Sequence, residues 1–245
     1  MTTRDNLILL TIAILLLFVG CGHRTPQMTV EVIDTSMSIT PRAEKAALSA
    51  IEMQIDRMQR GDRLVLIPIT GEAANDAGGR ILRLSAPTTR ESYDTDLRRL
   101  REQAKKQLAA WAASLDPHQL RTDILGTLDA ARQELVLSPQ GSSRRLIVVT
   151  DFLEDDGTYR FVTDGSVLTP ARASALAARL RTQRGFQVPG VQLRLGRLES
   201  TDFAPLSAQR KQAIDAFWEA YFAEDGKSVE IQFDGAQMLA DPAGR

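Results

Sequence analysis

The chain has 245 residues, of which 43% are hydrophobic, and this size suits a single α/β domain that follows an export segment. Its 30 basic and 31 acidic residues give a net charge of -1, which argues against nucleic-acid binding through bulk charge. One cysteine excludes an intrachain disulfide and a cysteine-based zinc site, and two histidines leave little room for a histidine-rich metal site.

The amino terminus carries an unbroken apolar segment, residues 7–19 (LILLTIAILLLFV), after a short start that contains Arg4. The segment is short for a bilayer span, which needs about 20 residues, and it fits the apolar region of a secretory signal. It ends in the sequence FVGC, which resembles a lipobox. That resemblance implies a signal peptide over residues 1–21 that ends at a lipidated Cys21, although Phe18 stands where Leu is usual.

An uncleaved signal anchor is the alternative to lipidation, and both interpretations place the rest of the chain outside the cytoplasm. In a lipoprotein, several acyl chains would hold the protein firmly at the membrane. Gly22 resembles the residue that follows the cysteine in lipoproteins sorted to the outer membrane of Gram-negative cells. We therefore expect an exported cell-envelope protein on the periplasmic or surface side. A linker over residues 22–27 would join its anchor to its folded body.

The remaining sequence alternates β-branched apolar runs with amphipathic segments. The pattern predicts strands over residues 28–33, 64–69, 81–84, 145–150, 191–198 and 229–233, and helices over residues 41–59, 94–114, 122–137, 171–184 and 207–222. Thr40 before Pro41 is typical of a helix start. A long acidic loop is expected over residues 152–170, and a C-terminal tail over residues 236–245. The alternation predicts an α/β fold, a three-layer Rossmann-like sandwich whose mostly parallel central sheet has about six strands and helices on both faces.

Oxygen-bearing side chains follow two of the predicted strands. Asp34, Ser36 and Ser38 come directly after the first strand and alternate, so an extended turn would bring them to one side. Asp151 follows the fourth predicted strand, and Thr122 opens a predicted helix. Because ligands of such sheets bind at the carboxyl ends of the strands, we expect these side chains to meet at that edge. Their oxygens suit Mg²⁺, which takes about six oxygen ligands and readily keeps some waters.

The segment DTSMS, from Asp34 to Ser38, resembles the Asp-x-Ser-x-Ser element of the metal-ion-dependent adhesion site in von Willebrand factor A (VWA) domains. Thr122 and Asp151 resemble the metal-binding threonine and the last aspartate of that family, and a VWA-like domain would cover residues 28–235. The resemblance implies that a divalent ion, Mg²⁺ or else Mn²⁺ or Ca²⁺, is bound by Asp34, Ser36, Ser38, Thr122 and Asp151. It also implies a protein partner that offers the ion an Asp or Glu carboxylate.

These residues also have simpler possible roles. Residues 34–38 could form a turn that caps the next helix, Thr122 could be a helix cap, and Asp151 could end a strand. Phe152 departs from the family pattern, which often has Gly after the last aspartate.

Further acidic residues flank the predicted ligands. Asp123 is expected as a first-turn carboxylate favoured by the helix dipole. We expect Glu154, Asp155 and Asp156 to lie in a solvated loop, although a role as additional metal ligands stays open.

The ligand set favours binding over catalysis. Three of the five side chains are neutral hydroxyls, so the ion would keep charge with which to attract an external carboxylate. Hydrolysis would also need an activated water and a positioned base, and no glycine-rich phosphate motif suggests a nucleotide. We predict a protein-binding module rather than an enzyme, with neither nucleotide nor nucleic acid as partner. The alternatives are a metal-dependent hydrolase using Asp34 and Asp151, or a structural envelope lipoprotein with a vestigial metal site.

Overall fold

The computed structural model describes residues 24–71, 80–88, 93–116, 118–223, 231–232 and 235–240. The predicted signal peptide, including Cys21, lies outside the described residues. Within the described part of the chain, no helix has both the length and the hydrophobicity needed to span a bilayer.

Six strands form one central sheet, as the sequence pattern predicts. They are β1 (Gln27–Asp34), β2 (Arg63–Ile69), β3 (Leu82–Ser85), β4 (Ser143–Thr150), β5 (Val191–Arg197) and β6 (Ile231–Gln232). Their order across the sheet is β3-β2-β1-β4-β5-β6. Only the edge pairing of β3 with β2 is antiparallel among these strands, so the sheet is mostly parallel.

Six α-helices accompany the sheet in the described part of the chain. They are α1 (Pro41–Arg57), α2 (Tyr93–Ser114), α3 (Ile124–Val136), α4 (Pro170–Arg184), α5 (Ala208–Phe222) and α6 (Gly235–Ala240). Thr40 caps α1 by accepting a hydrogen bond from the Ala43 N–H, and Pro41 occupies the first turn. Thr169 and Ser207 cap α4 and α5 in the same way. The predicted helix starts therefore agree with the structure wherever a hydroxyl cap precedes the helix.

Alternating side chains of the strands divide the apolar core between two faces of the sheet. Val30 and Val32 of β1 face a cluster built with α3, α4 and α5. Ile33 points to the opposite face, where α1, α2 and α6 pack. Helices thus cover both faces, which confirms the predicted three-layer α/β sandwich.

The folded body extends further towards the carboxyl terminus than the sequence suggests. We predicted a tail from residue 236, but α6 occupies Gly235–Ala240 and buries Met238 and Leu239 against the sheet and α1. A close approach makes this possible, because a Cβ at Gly196 of β5 would lie 2.6 Å from the Gly235 Cα. The predicted boundary at residue 235 therefore falls at the start of a helix that belongs to the domain.

Candidate metal centre

The sheet register brings the two predicted aspartates to one edge. β1 and β4 pair in parallel with Ile33 opposite Val149, so Asp34 and Thr150 end neighbouring strands. The Thr150 hydroxyl donates a hydrogen bond of 2.6 Å to Asp34 Oδ2. Asp151 follows directly, at the carboxyl end of the sheet where α/β proteins bind their ligands.

The turn after β1 adds two serines to this pair. Asp34 Oδ1 accepts a hydrogen bond of 2.9 Å from the Ser36 N–H, which folds the chain back over the strand end. The Ser38 hydroxyl donates to Asp151 Oδ2 at 2.8 Å, and the Ser36 and Ser38 hydroxyl oxygens lie 3.1 Å apart. Because the Ser38 proton is given to Asp151, Ser36 is the donor of that second bond. Asp34, Ser36, Ser38 and Asp151 therefore form one connected cluster.

The spacing of these oxygens is compatible with shared coordination of one ion. Around an octahedral Mg²⁺ with ligands at about 2.0–2.1 Å, neighbouring oxygens lie about 2.9 Å apart. The Ser36–Ser38 distance of 3.1 Å and the Ser38–Asp151 distance of 2.8 Å are close to that value. The donor set is hard oxygen throughout, which is the chemistry that Mg²⁺ and Mn²⁺ prefer.

Burial makes the two aspartates acids of raised pKa. Burial raises the pKa of Asp34, while hydrogen bonds from Thr150 and Ser36 act in the opposite direction. Burial and the charge of Asp34 together raise the pKa of Asp151 to about 7. Two such carboxyls side by side form a site that a divalent cation would stabilise in the ionised form.

Thr122 lies close to the two serines, but not at the helix start that the sequence predicts. It does not open α3, which begins at Ile124, but forms an isolated β-bridge with Asp155 in the loop after β4. Its hydroxyl donates a hydrogen bond of 2.5 Å to the Leu153 carbonyl. Thr122 nevertheless lines one cavity together with Ser36 and Ser38.

This cavity, of about 270 Å³, opens to solvent through an apolar rim. Met37, Leu120 and Val162 line it, and they are 56%, 76% and 42% exposed. Large apolar side chains that stay exposed around a polar centre are typical of surfaces that bind another molecule. Arg160 also lines the cavity, together with three acidic residues, Glu154, Asp155 and Asp202.

Thr150 and Ser200 take part in the centre although the sequence did not mark them, and Glu154, which lines its cavity, was expected in a solvated loop or as an additional metal ligand. Thr150 binds Asp34, Ser200 lowers the pKa of Asp151 through a side-chain hydrogen bond, and Glu154 caps α3. Thr150 belongs to an apolar strand and Ser200 to the loop after β5, and neither lies in a recognisable sequence motif. Glu154 corrects the expectation of a solvated acidic loop, because its side chain is buried while Asp155 and Asp156 are partly exposed.

Phe152 follows Asp151 at the position where the VWA pattern often has Gly, and the structure shows how the fold accommodates it. Its backbone has a φ of 66°, in the left-handed region, so the chain keeps the conformation that favours glycine. The ring is fully buried and contacts the Trp218 ring at a centroid distance of 5.8 Å. Packing of a large aromatic side chain therefore takes the place of backbone freedom at this turn.

Comparisons with solved structures find several similar chains. The chain is similar to a von Willebrand factor type A protein from Catenulispora acidiphila, with 21% identity over 88% of this chain and 40% of that one, at a TM-score of 0.46. It is also similar to manganese-loaded TRAP protein from Plasmodium vivax, with 13% identity, coverage of 89% and 73%, and a TM-score of 0.42. A third match is the pilus adhesin SpaC from Lactobacillus rhamnosus GG in its open conformation, with 12% identity, coverage of 89% and 29%, and a TM-score of 0.50.

No protein-family model matches the chain, and no curated protein matches it by sequence. The strand order with its antiparallel edge and the similarity to the SpaC structure define the class of fold. The chain has a VWA-type fold. It spans less than half the length of the Catenulispora and Lactobacillus structures, 40% and 29% respectively.

Proposed function

We propose that this chain is a membrane-anchored, extracytoplasmic protein-binding module rather than an enzyme. The proposed ion ligands are the five oxygen-bearing side chains predicted from the sequence, Asp34, Ser36, Ser38, Thr122 and Asp151. The observation that carries the proposal is a cluster of two buried aspartates and two serines, of which Ser36 and Ser38 line a cavity with an exposed apolar rim. A cation held there would supply a position that accepts a carboxylate oxygen from the partner.

Mg²⁺ or Mn²⁺ fits the cluster best, with Ca²⁺ as the further possibility. The hydroxyl and carboxylate oxygens lie at the spacing of a small octahedral ion. Neutral hydroxyls leave part of the ion's charge uncompensated, which favours an anionic ligand from outside. The partner is therefore expected to present an Asp or Glu side chain.

The rim adds a second requirement on the partner. Met37 and Leu120 are both more than half exposed, and Val162 lies on the same cavity. Burial of such side chains in a complex contributes about 25 cal/mol per Å² of apolar surface. We therefore expect the partner's acidic residue to be flanked by apolar side chains that cover this rim.

Metal-dependent capture of a partner tests this proposal. The full chain, solubilised in detergent, is immobilised and exposed to envelope extract of the source organism in Mg²⁺ and in chelator. The variants are Asp34→Ala, which removes a proposed ligand, and Leu120→Ser, which makes the rim polar. The matched control is Asp56→Ala, which removes an exposed aspartate of α1 that pairs with Lys105.

A specific protein should be retained by the wild-type chain and by Asp56→Ala in Mg²⁺. It should be lost with chelator and with Asp34→Ala, and weakened at least fivefold with Leu120→Ser. Capture that is indifferent to chelator and to Asp34→Ala would contradict a metal-bridged contact.

A further inference from the structure

A second group of carboxylates lies beside the metal centre, on the side of α3. Asp123, Glu154 and Asp156 each offer an oxygen within 4.8 Å of the other two. Asp123 precedes α3, and the other two belong to the loop after β4. None of the three is among the five proposed ligands of the metal centre. Asp123 was expected as a first-turn carboxylate of a helix, and Glu154 and Asp156 as loop residues for which metal binding stayed open.

Glu154 is an unusual member of this group because it is deeply buried, with 1% of its surface exposed. Its Oε2 accepts hydrogen bonds from the N–H groups of Ile124 and Leu125, at 3.1 and 3.2 Å. Its Oε1 is buried without a hydrogen-bond partner among the described residues. A buried carboxylate oxygen left unpaired is costly, so the fold needs a charged or polar group at this point.

Backbone donors fix the direction of all three carboxylates. Asp123 Oδ1 accepts from the Gly126 N–H at 2.6 Å, within the first turn of α3. Asp156 Oδ1 accepts from the N–H groups of Thr158 and Tyr159, both at 2.7 Å. The three acids are thus held together by backbone geometry, although their charges repel one another.

The charge balance of the group is unfavourable. Burial, followed by the charges of Asp123 and Asp156, raises the pKa of Glu154 well above its usual range. The Arg184 guanidinium acts in the opposite direction, but it is bound to Asp129 at 2.8 Å. A cation placed among the three acids would remove this repulsion.

We propose that Asp123, Glu154 and Asp156 form a second divalent-cation site that prefers Ca²⁺. Oxygens on opposite sides of a Ca²⁺ ion lie about 4.6–5.2 Å apart, so three oxygens within 4.8 Å of one another can share one ion. Three carboxylates suit Ca²⁺, which takes six to eight oxygen ligands and tolerates irregular geometry. The metal centre differs from this group because hydroxyls make up most of its proposed ligands.

The second site would act on the first through Thr122. Thr122 precedes Asp123 and pairs with Asp155 by backbone hydrogen bonds of 3.1 and 2.9 Å. An ion that ties Asp123 to Glu154 and Asp156 therefore fixes the bridge that carries Thr122 into the cleft. Ca²⁺ binding at this site does not depend on a functional metal centre.

Calcium titration of the full chain in detergent tests the site. Ca²⁺ binding is measured by calorimetry, and Tb³⁺ luminescence is sensitised through Tyr159, whose N–H binds Asp156. The test variant is Asp156→Asn, which keeps the Oδ1 acceptor and removes one charge. The matched control is Asp155→Asn, which makes the same change at the neighbouring acid that pairs with Arg160.

Asp156→Asn should weaken Ca²⁺ binding at least tenfold and abolish the Tb³⁺ signal, whereas Asp155→Asn should leave both unchanged. In chelator, Asp156→Asn should melt no lower than the wild type, because the substitution relieves repulsion. In Ca²⁺ the wild type should melt higher and Asp156→Asn should not. Equal Ca²⁺ binding by the two variants would overturn the proposal.

The Asp34→Ala variant separates this site from the metal centre. If both sites exist, Asp34→Ala removes one bound ion and leaves the Tb³⁺ signal. If the second site binds an ion and the metal centre does not, Asp34→Ala should leave ion binding unchanged, and Asp156→Asn should lose the bound ion. If Asp34→Ala abolishes all ion binding, the second site does not exist.

Discussion

At the scale of single residues, Phe152 shows how one side chain can hold a backbone conformation that its residue type disfavours. Its φ of 66° is the only positive value at a non-glycine position among the described residues. A left-handed conformation costs an L-residue about 1–2 kcal/mol. The buried ring, which contacts Trp218 and lies under the Arg197 guanidinium, offsets that cost.

We predict that Phe152→Gly is less destabilising than Phe152→Ala. Loss of the ring costs both variants about 3–5 kcal/mol of unfolding free energy. Alanine keeps the backbone strain that glycine relieves, so the alanine variant should be the less stable by about 1 kcal/mol. Urea unfolding at constant metal concentration measures the difference.

Phe161 supplies the control, because it is buried in the same aromatic cluster and has no positive φ. There the glycine variant should be the less stable of the two. If Phe152→Ala is as stable as Phe152→Gly, or more stable, the turn stores no backbone strain.

Glu31 is a second residue whose environment could not be predicted from the sequence. It lies within β1 and is fully buried. The side-chain amide of Gln54 of α1, which also donates to the Leu239 carbonyl, and then the charge of Arg145 of β4 lower its pKa. Arg194 lies in the same row of the sheet, opposite Ile147. Burial raises the pKa of Glu31 from 4.5 to about 8.

This raised pKa predicts a pH dependence of stability. Between pH 4.5 and 8 the folded chain keeps a proton that the unfolded chain has lost, so the free energy of unfolding falls as pH rises. The fall is at most about 1.4 kcal/mol per pH unit, and it levels off above pH 8. Glu31→Gln should lower this slope by the share of Glu31, while the raised pKa values of Asp34, Asp151 and Glu154 keep a slope of the same sign, as measured by urea unfolding at pH 5, 6, 7 and 8. The exposed Glu52→Gln is the control, and a Glu31→Gln slope equal to the wild-type slope would contradict the prediction.

The sequence was a better guide to which residues lie together than to the hydrogen bonds that hold them. Asp34, Ser36, Ser38 and Asp151 meet because two parallel strands end together, and strand ends are visible in the apolar pattern. The bonds from Thr150 and Ser200 could not be predicted, because they depend on the register of β4 and on a loop that follows β5. Periodicity defines faces and ends of elements, but not the path of the loops between them.

At the scale of elements, the start of α3 shows why adjacent cap candidates are ambiguous. Thr122 and Asp123 are both good caps by residue type, and the structure uses Asp123. Gly126 permits this choice, because a Cβ there would lie 2.2 Å from Asp123 Oδ2. Glu154 caps the next two N–H groups of α3 from another part of the chain. Thr122 is thereby released from the helix and can line the cleft.

The position of α6 illustrates a further limit of sequence patterns. This helix occupies only Gly235–Ala240, which is too short for a convincing amphipathic period. Its place in the fold depends on the approach of Gly196 to Gly235, two residues far apart in sequence. A contact of this kind is set by tertiary packing and leaves no local signal.

At the scale of the whole molecule, the start of β1 and the proposed metal centre lie at opposite ends of the strands of the sheet. β1 begins at Gln27 and ends at Asp34, which carries the chain roughly 25 Å from one edge to the other. The chain is already fixed at Arg24, whose guanidinium binds Asp62 at 2.8 and 3.1 Å. If Cys21 carries the lipid, as the sequence predicts, only Gly22 and His23 separate it in the sequence from Arg24, at the end of the sheet opposite the proposed metal centre. The proposed cleft would then face away from the membrane, towards a partner.

We predict that the mature protein begins at an acylated Cys21. Wild-type chain expressed in its source organism should have an intact mass that lacks the preceding residues and includes the acyl groups, and it should incorporate a labelled fatty acid. Cys21→Ala should incorporate none, because alanine offers no thiol for acylation. The distinction matters physically, since residues 7–19 are short for a stable bilayer span, whereas several acyl chains anchor firmly. A wild-type mass that includes residues 1–20, without fatty acid, would show an uncleaved signal anchor instead.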